Sequence, residues 1–422
     1  MKEAVIVSGA RTPVGKAFKG SLANTRPDDL AALTIKETLK RADDYDGNID
    51  DVIIGCAMPE AEQGMNMARN VAGLAGLSHD VPGVTINRYC SSGLQSIAYA
   101  AERIMVGASD TIIASGAESM SLIPMGGHVI KPNVKLVENA PGYYMSMGHT
   151  AEEVASRFGI SRTDQDEFAT RSHERAAKAI QEGRFTDEIV PVDVKERVLG
   201  NNNKIDEESF TFKIDEGVRP ETSVETLSKL RPAFKNKGTV TAGNSSQMSD
   251  GAASVLVMDR EKAKTKNKGT VTAGNSSQMS DGAASVLVMD REKAKSIGLT
   301  PVVKFRSFAV AGVEPEIMGV GPVAAIPKAL QIAGLELSDI GLFELNEAFA
   351  AQAVRVIHAL DLDIDKVNVN GGAIALGHPL GCTGTKLTLT LMNEMKRRDV
   401  QFGVVTMCIG GGMGAAGVFE LL

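Results

Sequence analysis

Short apolar runs alternate with amphipathic stretches over the first 120 residues, and their periods differ. Ala4–Ser8 and Asp51–Ile54 have the length and character of buried strands, while Asp29–Arg41 between them places its apolar positions at helical spacing. The pattern is clearest after Cys90. Leu94, Ile97, Ala98, Ala101, Ile104 and Met105 fall on one helical face, and Gly107 is a natural stop. Thr111–Ser115 then predicts a buried strand ending at Gly116. Strands and helices in this alternation predict an α/β fold.

From Met120 to about Phe234 the alternation lapses. Residues 120–148 are rich in Met, Gly, Pro and Tyr, which suits an irregular excursion better than a sheet. Ser161-Arg-Thr-Asp164 predicts a capping-box start to a polar helix running to about Gly183, and charged, weakly periodic segments follow to Pro232. The pattern predicts an N-terminal α/β half over 1–119, completed by about 249–299, with an inserted loop domain over 120–248. Strands near Leu342–Leu345, Val367–Val369 and Gly403–Met407 restore the alternation in a C-terminal half, 300–422. Segments 85–118 and 367–414 share one order of strand, Gly-rich turn, helix, strand and Gly-rich turn. That echo predicts two related halves, each giving one face of a shared site.

One repeat is far stronger than this echo. Residues 235–264 and 266–295 are identical, with Thr265 between them. Two copies are too few to bury a stacked core, and one sequence does not suit two different core environments. The expectation is that one copy is extra.

Composition narrows the function. With 422 residues, 43% apolar and 23% charged, the chain has room for two or three domains and reads as globular. A net charge of −7 argues against a nucleic-acid or anionic-membrane partner, so an anionic ligand needs a local cluster of Lys and Arg. The N-terminal apolar run is too short for a signal-peptide core, no stretch reaches transmembrane length, and Phe-Glu-Leu-Leu is not a peroxisomal tripeptide. Four cysteines do not make a disulfide framework, and the expected compartment is a reducing cytoplasm.

Two of those cysteines sit on glycine-rich turns. Cys90 precedes the strong helix, whose free N–H groups and dipole are expected to lower its pKa, and the Ser-Ser-Gly after it leaves room for a substrate. His378 lies between Gly377 and Pro379, with further glycines at 371, 372, 381 and 384. An imidazole there could take a thiol proton and later stabilise charge on oxygen, or could simply be a hydrogen-bonded structural residue. Cys408 ends a strand and leads into Gly410-Gly411-Gly412, either an oxyanion hole or a tight turn. Asn346 and Glu347 form a polar pair at a strand end, for which helix capping is the plainer reading of Asn346. Cys56 and Cys382 read as small buried hydrophobes.

These segments closely resemble the thiolase family. The matching stretches are Asn-Arg-Tyr-Cys-Ser-Ser-Gly-Leu-Gln around Cys90, Asn-Glu-Ala-Phe-Ala at 346–350, Asn-Gly-Gly-Ala-Ile-Ala-Leu-Gly-His-Pro-Leu-Gly at 370–381 and Cys-Ile-Gly-Gly-Gly-Met-Gly at 408–414. Ala10-Arg-Thr-Pro13, Gly116-Ala-Glu-Ser-Met120 and Arg231-Pro-Ala-Phe234 extend the resemblance along the chain, and only the second copy of the repeat departs from it. It implies a thiolase-like layered αβαβα fold. It also implies an acylated Cys90 activated by His378, and Cys408 as the acid/base at the α-carbon of acetyl-CoA. The N–H groups of Cys90 and Gly410 would hold one oxyanion; Asn346, through a water, and His378 would hold the enolate oxygen. CoA is implied as a substrate rather than a bound cofactor, with no metal. It would lie against the loop domain near Arg219, Ser246 or its duplicate Ser277, and His149.

Within the family, Cys56-Ala-Met-Pro-Glu60, Ser119-Met-Ser-Leu-Ile-Pro-Met125 and Met147-Gly-His-Thr-Ala-Glu152 look most like bacterial 3-ketoacyl-CoA thiolases of fatty-acid β-oxidation. A biosynthetic acetoacetyl-CoA thiolase would share every catalytic residue. The distinction falls on an acyl pocket for which Met120, Leu122, Met125, Tyr143, Tyr144, Met145 and Met147 are candidates; packing at an interface is the alternative. A ketoacyl-carrier-protein synthase would use two histidines, and a non-catalytic acyl-CoA-binding relative would lack one of Cys90, His378 or Cys408. A homodimer or homotetramer, with a β-oxidation multienzyme partner, completes the expectation.

Overall fold

Val5–Arg11 forms β1, the strand at which two half-sheets meet in the computed structural model, which describes residues 2–43, 45, 48–199, 205–258, 284–287 and 301–422. Gly15–Lys16 is a short β2 paired to Asp250 and Ser249. Outward from β1 on one side lie β8 (Ser249–Met258), β5 (Thr111–Glu118), β3 (Asp51–Gly55) and β4 (Gly83–Ile86). On the other side lie β10 (Val303–Gly312), β13 (Met413–Leu421), β12 (Phe402–Ile409) and β11 (Leu342–Leu345). The directions repeat as well. β3 is parallel to β5 and β5 antiparallel to β8, just as β11 is parallel to β12 and β12 antiparallel to β13. The halves join where β1 and β10 run antiparallel, Val5 opposite Lys304 and Ile6 opposite Val303.

Side-chain alternation along the strands shows the layering. In β5, Ser115 bonds to Ser254 of β8, whose hydroxyl lies 3.1 Å from Thr34 of the outer helix Pro27–Arg41. Its neighbour Gly116 faces the opposite way, and a Cβ there would collide with Gly381 O of the helix Leu380–Arg398. In the second half, Ser307 of β10 bonds to Ala329 O of the outer helix Gly321–Ala333, while Gly403 of β12 faces Leu391 and Met395. Leu380–Arg398 is buried on every face from Leu380 to Met392 and packs against the helix Ser92–Met105. Two central helices thus lie between half-sheets that outer helices cover, which is the αβαβα arrangement.

Val367 is paired only by an isolated bridge to Phe343, where a strand over Val367–Val369 was expected. Asn368 turns the chain to a φ of 47°, and its side chain takes over the ladder, accepting Leu345 N–H and donating to Leu345 O, both at 2.8 Å. Between β5 and β8, the helix Arg162–Gln181 starts at the capping box of Ser161 and Asp164. A hairpin of β6 (Val192–Leu199) and β7 (Ile205–Phe212) replaces the weakly periodic stretch read from sequence. Arg11, wholly buried, ties this region to β1. It donates to Glu188 at 2.7 Å, to both oxygens of Asp215 at 2.8 Å, and lies over the Phe185 ring. Among the described residues no helix is long and apolar enough to cross a membrane.

Both copies of the repeat reach β1. Gly9 and Ala10 oppose Val255 and Ser254 of the first copy in β8, and oppose Val286 and Ser285 of the second in β9 (Ala284–Leu287). These are equivalent residues of the two copies in one register on one strand. Ser277 lies outside the described residues.

Candidate active site

Cys90 sits in a 3₁₀ turn, Tyr89–Ser91, that runs into the helix Ser92–Met105. Polar side chains shape that turn: Asn87 Oδ1 accepts Tyr89 N–H at 2.8 Å, and Ser92 Oγ accepts Arg88 N–H at 2.9 Å while donating to Tyr89 O at 2.7 Å. Tyr89 is forced to a φ of 45°, a conformation costing about 1–3 kcal/mol for a bulky residue. The strain aims Cys90 inward, where it packs with Ala57, Met120 and Leu380. The N–H groups of Gly410 and of Cys90 itself lie toward its sulfur and favour the thiolate.

The expectation of a lowered Cys90 pKa is not met. Burial pushes the thiol up to about 11, and the two N–H groups offset only part of that. A helix start alone says nothing of how much water the sulfur loses. Cys408, at the end of β12 and fully buried, is also raised, first by burial and then by the neighbouring Cys90. It packs with Ala151, Val240, Met318, Ala348 and Phe349.

His378 is held on both ring nitrogens. Nδ1 lies 2.6 Å from Thr383 Oγ1, and that hydroxyl donates its own hydrogen to Pro379 O at 2.9 Å. Thr383 Oγ1 can therefore only accept, so the imidazole carries its proton on Nδ1. Nε2 is left as a lone pair, met by Asn346 Nδ2 at 3.2 Å. Burial first, and then Lys386, lowers the His378 pKa to about 3, so the resting imidazole is neutral. Asn346 is fully buried and its Oδ1 has no partner among the described residues.

The backbone beneath His378 comes from the first copy of the repeat. His378 N–H points to Ser249 Oγ and Gln247 O at 3.3 Å, and Met248 bridges to His378. Gly377, at a φ of 90°, leaves no space for a Cβ beside Ser249. Glu347 does not enter the site. It accepts Ser172 Oγ–H at 2.6 Å, Asn368 Nδ2–H at 2.7 Å and Ile374 N–H at 3.2 Å, and so holds the 370–374 turn.

The structure thus brings Cys90 to Gly410 and Cys408, and His378 to Asn346. Other candidates lie further out. Arg219 is exposed and its N–H bonds to His173 Nδ1; Ser246 is half-buried and bonds through its N–H to Ala348 O; His149 is exposed against Ser146. Among the acyl-pocket candidates, Met120 packs by Cys90 and Met147 by Cys408, whereas Met125, Tyr143 and Tyr144 are exposed. Thr383 and Ser249 went unread in the sequence. Thr383 had one visible signal, a hydroxyl five residues after His378 at the start of a helix.

Residues 4–261 and again 262–292 match the thiolase N-terminal domain, and residues 299–421 match the thiolase C-terminal domain. The chain belongs to the thiolase family. It is 67% identical over 421 residues to the 3-ketoacyl-CoA thiolase of Bacillus subtilis, covering 100% of both chains. Among solved thiolase-fold structures, the Bacillus anthracis acetyl-CoA acetyltransferase superposes with a TM-score of 0.83 at 37% identity, covering 100% of this chain and 99% of that one. The dimeric peroxisomal thiolase of Saccharomyces cerevisiae gives 0.81 at 38%, covering 100% and 98%. The N-terminal-domain match restarts inside the repeat, so the second copy returns to a part of the thiolase domain already matched.

Proposed function

We propose that this thiolase cleaves 3-ketoacyl-CoA with CoA, giving acetyl-CoA and a shortened acyl-CoA through an acyl-Cys90 thioester. Cys90 Sγ–H gives its proton to the lone pair of His378 Nε2, displacing the Asn346 Nδ2 contact, and the sulfur attacks C3, whose oxyanion takes the N–H groups of Cys90 and Gly410. The C2–C3 bond then breaks and its electrons move to the thioester oxygen. His378 and a water on the unpartnered Asn346 Oδ1 hold that enolate while Cys408 Sγ–H protonates C2. In the second half, the Cys408 thiolate takes the proton of CoA, the CoA sulfur attacks acyl-Cys90, and Cys90 recovers its proton from His378.

The observation that carries this reading is the Thr383–His378–Asn346 chain, which presents a neutral imidazole with one defined lone pair in a site whose other face is the Cys90–Gly410 contact. The 67% identity to a 3-ketoacyl-CoA thiolase favours cleavage of longer 3-ketoacyl chains over acetyl-CoA condensation. Residues 120–248 serve as the CoA-facing loop domain, with Arg219, Ser246 and His149 toward CoA. The dimeric yeast relative supports a homodimer, as do the exposed Val84 on the edge strand β4 and the exposed Tyr89 that follows it. Four free thiols and a bacterial relative support a reducing cytoplasm.

Incubation with acyl-CoA followed by peptide mass spectrometry tests the assignment. The adduct is expected on Cys90; an adduct on Cys408 or Cys382 with Cys90 free overturns it.

A further inference from the structure

Glu118, the last residue of β5, is fully buried close to the site and hydrogen-bonds to neither Cys90 nor Cys408. Its Oε2 accepts the N–H of Ala57 at 2.7 Å and of Gly381 at 2.8 Å. Its Oε1 accepts the Gln63 amide at 2.7 Å and Met58 N–H at 3.2 Å, with Cys56 Sγ 3.8 Å away. The orientation of Gln63 is fixed, because its Oε1 takes Ser119 N–H while its Nε2 also donates to Met58 O. Burial raises the Glu118 pKa, and the four N–H donors pull against that by stabilising the anion. Gly381 lies in the first turn of its helix, where the positive end of the helix dipole also favours a carboxylate.

The segments that Glu118 joins are the ones that frame the reacting pair. Ala57 packs against Cys90 and Leu380, and Gly381 follows His378 by three residues. A Cβ at Gly381 would lie 2.8 Å from both Glu118 Oε2 and Gly55 O, so the carboxylate fits closely between the strand ends and the helix. We infer that Glu118 is a positioning residue of the thiolase reaction: its carboxylate locks the first turn of the Leu380–Arg398 helix, and with it His378, to the Ala57–Met58 turn that walls Cys90. Burial first, and the Glu118 charge after it, oppose ionisation of Cys90. This rests on the reading of Cys90 and His378 as the reacting pair.

Glu118→Gln and Glu118→Asp separate charge from reach. In Glu118→Gln, kcat is expected to fall by about 10- to 100-fold, the scale of a small displacement of a reacting group. The KM for CoA should change by less than about twofold, and the pH midpoint for iodoacetamide labelling of Cys90 should move down because a negative charge is gone. Glu118→Asp keeps the charge and shortens the reach, so kcat should fall while the labelling midpoint stays in place. A folded Glu118→Gln with wild-type kcat and labelling profile overturns the inference, as does a kcat loss that only tracks the folded fraction. Should Glu118→Gln fail to fold, Glu118→Asp decides: wild-type turnover in that variant overturns the role. If the acyl group itself maps elsewhere, the Cys90 labelling midpoint still responds to Glu118→Gln while turnover does not, which locates the failure in the proposed function.

Discussion

Thr383→Val is the sharpest probe of how His378 is held. The change is near-isosteric and removes one hydroxyl. Pro379 O keeps partners in the N–H groups of Cys382 and Thr383, at 3.0 and 2.9 Å, so the group left unpaired is His378 Nδ1–H. A buried donor without a partner costs about 1–3 kcal/mol. The ring can escape that cost by adopting the other tautomer, which puts a hydrogen on Nε2 and leaves nothing there to accept the Cys90 proton. If acylation runs through the Nδ1–H tautomer, the same about 1–3 kcal/mol is added to its barrier, slowing it about 5- to 150-fold. Single-turnover acylation by acyl-CoA, followed by intact-mass spectrometry, reads this directly. Thr383→Ser retains the hydroxyl and should acylate within about threefold of the unaltered protein. An unchanged acylation rate in Thr383→Val, with only the thermal midpoint lowered, would refute the tautomer argument and leave Thr383 as packing.

Three further outcomes are expected. Cys408→Ala should still acquire an acyl group on Cys90 but lose thiolysis, and hydrogen exchange at the α-carbon of acetyl-CoA, by orders of magnitude; near-normal thiolysis would remove Cys408 from the mechanism. His378 and His173 are lowered to about 3 and about 4, chiefly by burial, so below their unfolded pKa of about 6.5 the unfolded chain binds protons that the native state refuses. Stability should therefore fall with pH from about 6.5 downward, by at most about 1.4 kcal/mol per pH unit per histidine. In thermal midpoints taken from pH 7 to 5, His173→Gln should make that slope shallower, and an unchanged slope would mean that His173 is charged in the fold. Deleting Asn236–Lys266 removes one copy of the repeat and should leave a chain at least as stable and as active in thiolysis; an unfolded or inactive product, beside a working full-length chain, would make the second copy structural.

Much of the scaffold could be read from residue order because its signals are local. Apolar runs marked β5, β11 and β12, one helical face marked Ser92–Met105, and the Ser161–Asp164 box marked the next helix start. The β6–β7 hairpin escaped because its buried alternation at Val192 and Val194 sits among charged residues. Residue type also pointed to Cys90, His378 and Cys408, since thiols and imidazoles on glycine-rich turns are uncommon. The electrostatics did not follow from type. The start of a helix argues for an easily ionised Cys90, and burial reverses that, because the loss of water outweighs two N–H donors. Glu118 was legible only as part of a motif, since its donors come from positions 55 to 263 residues away and converge only after folding.

The matching strand orders on either side of the β1–β10 seam place Cys90 and His378 at corresponding points, each just ahead of the central helix of its own half. A half-length ancestor that paired with a copy of itself across such a seam would have shown two identical side chains to the common cleft. Two thiols would have offered no base, and two imidazoles no sulfur nucleophile. Joining the halves in one chain lifts that restriction, because each position can then change without its counterpart. On the roles proposed for Cys90 and His378, a division of labour between sulfur and ring nitrogen would follow from that broken symmetry, and carrying both halves on a single polypeptide would keep the unlike pair together.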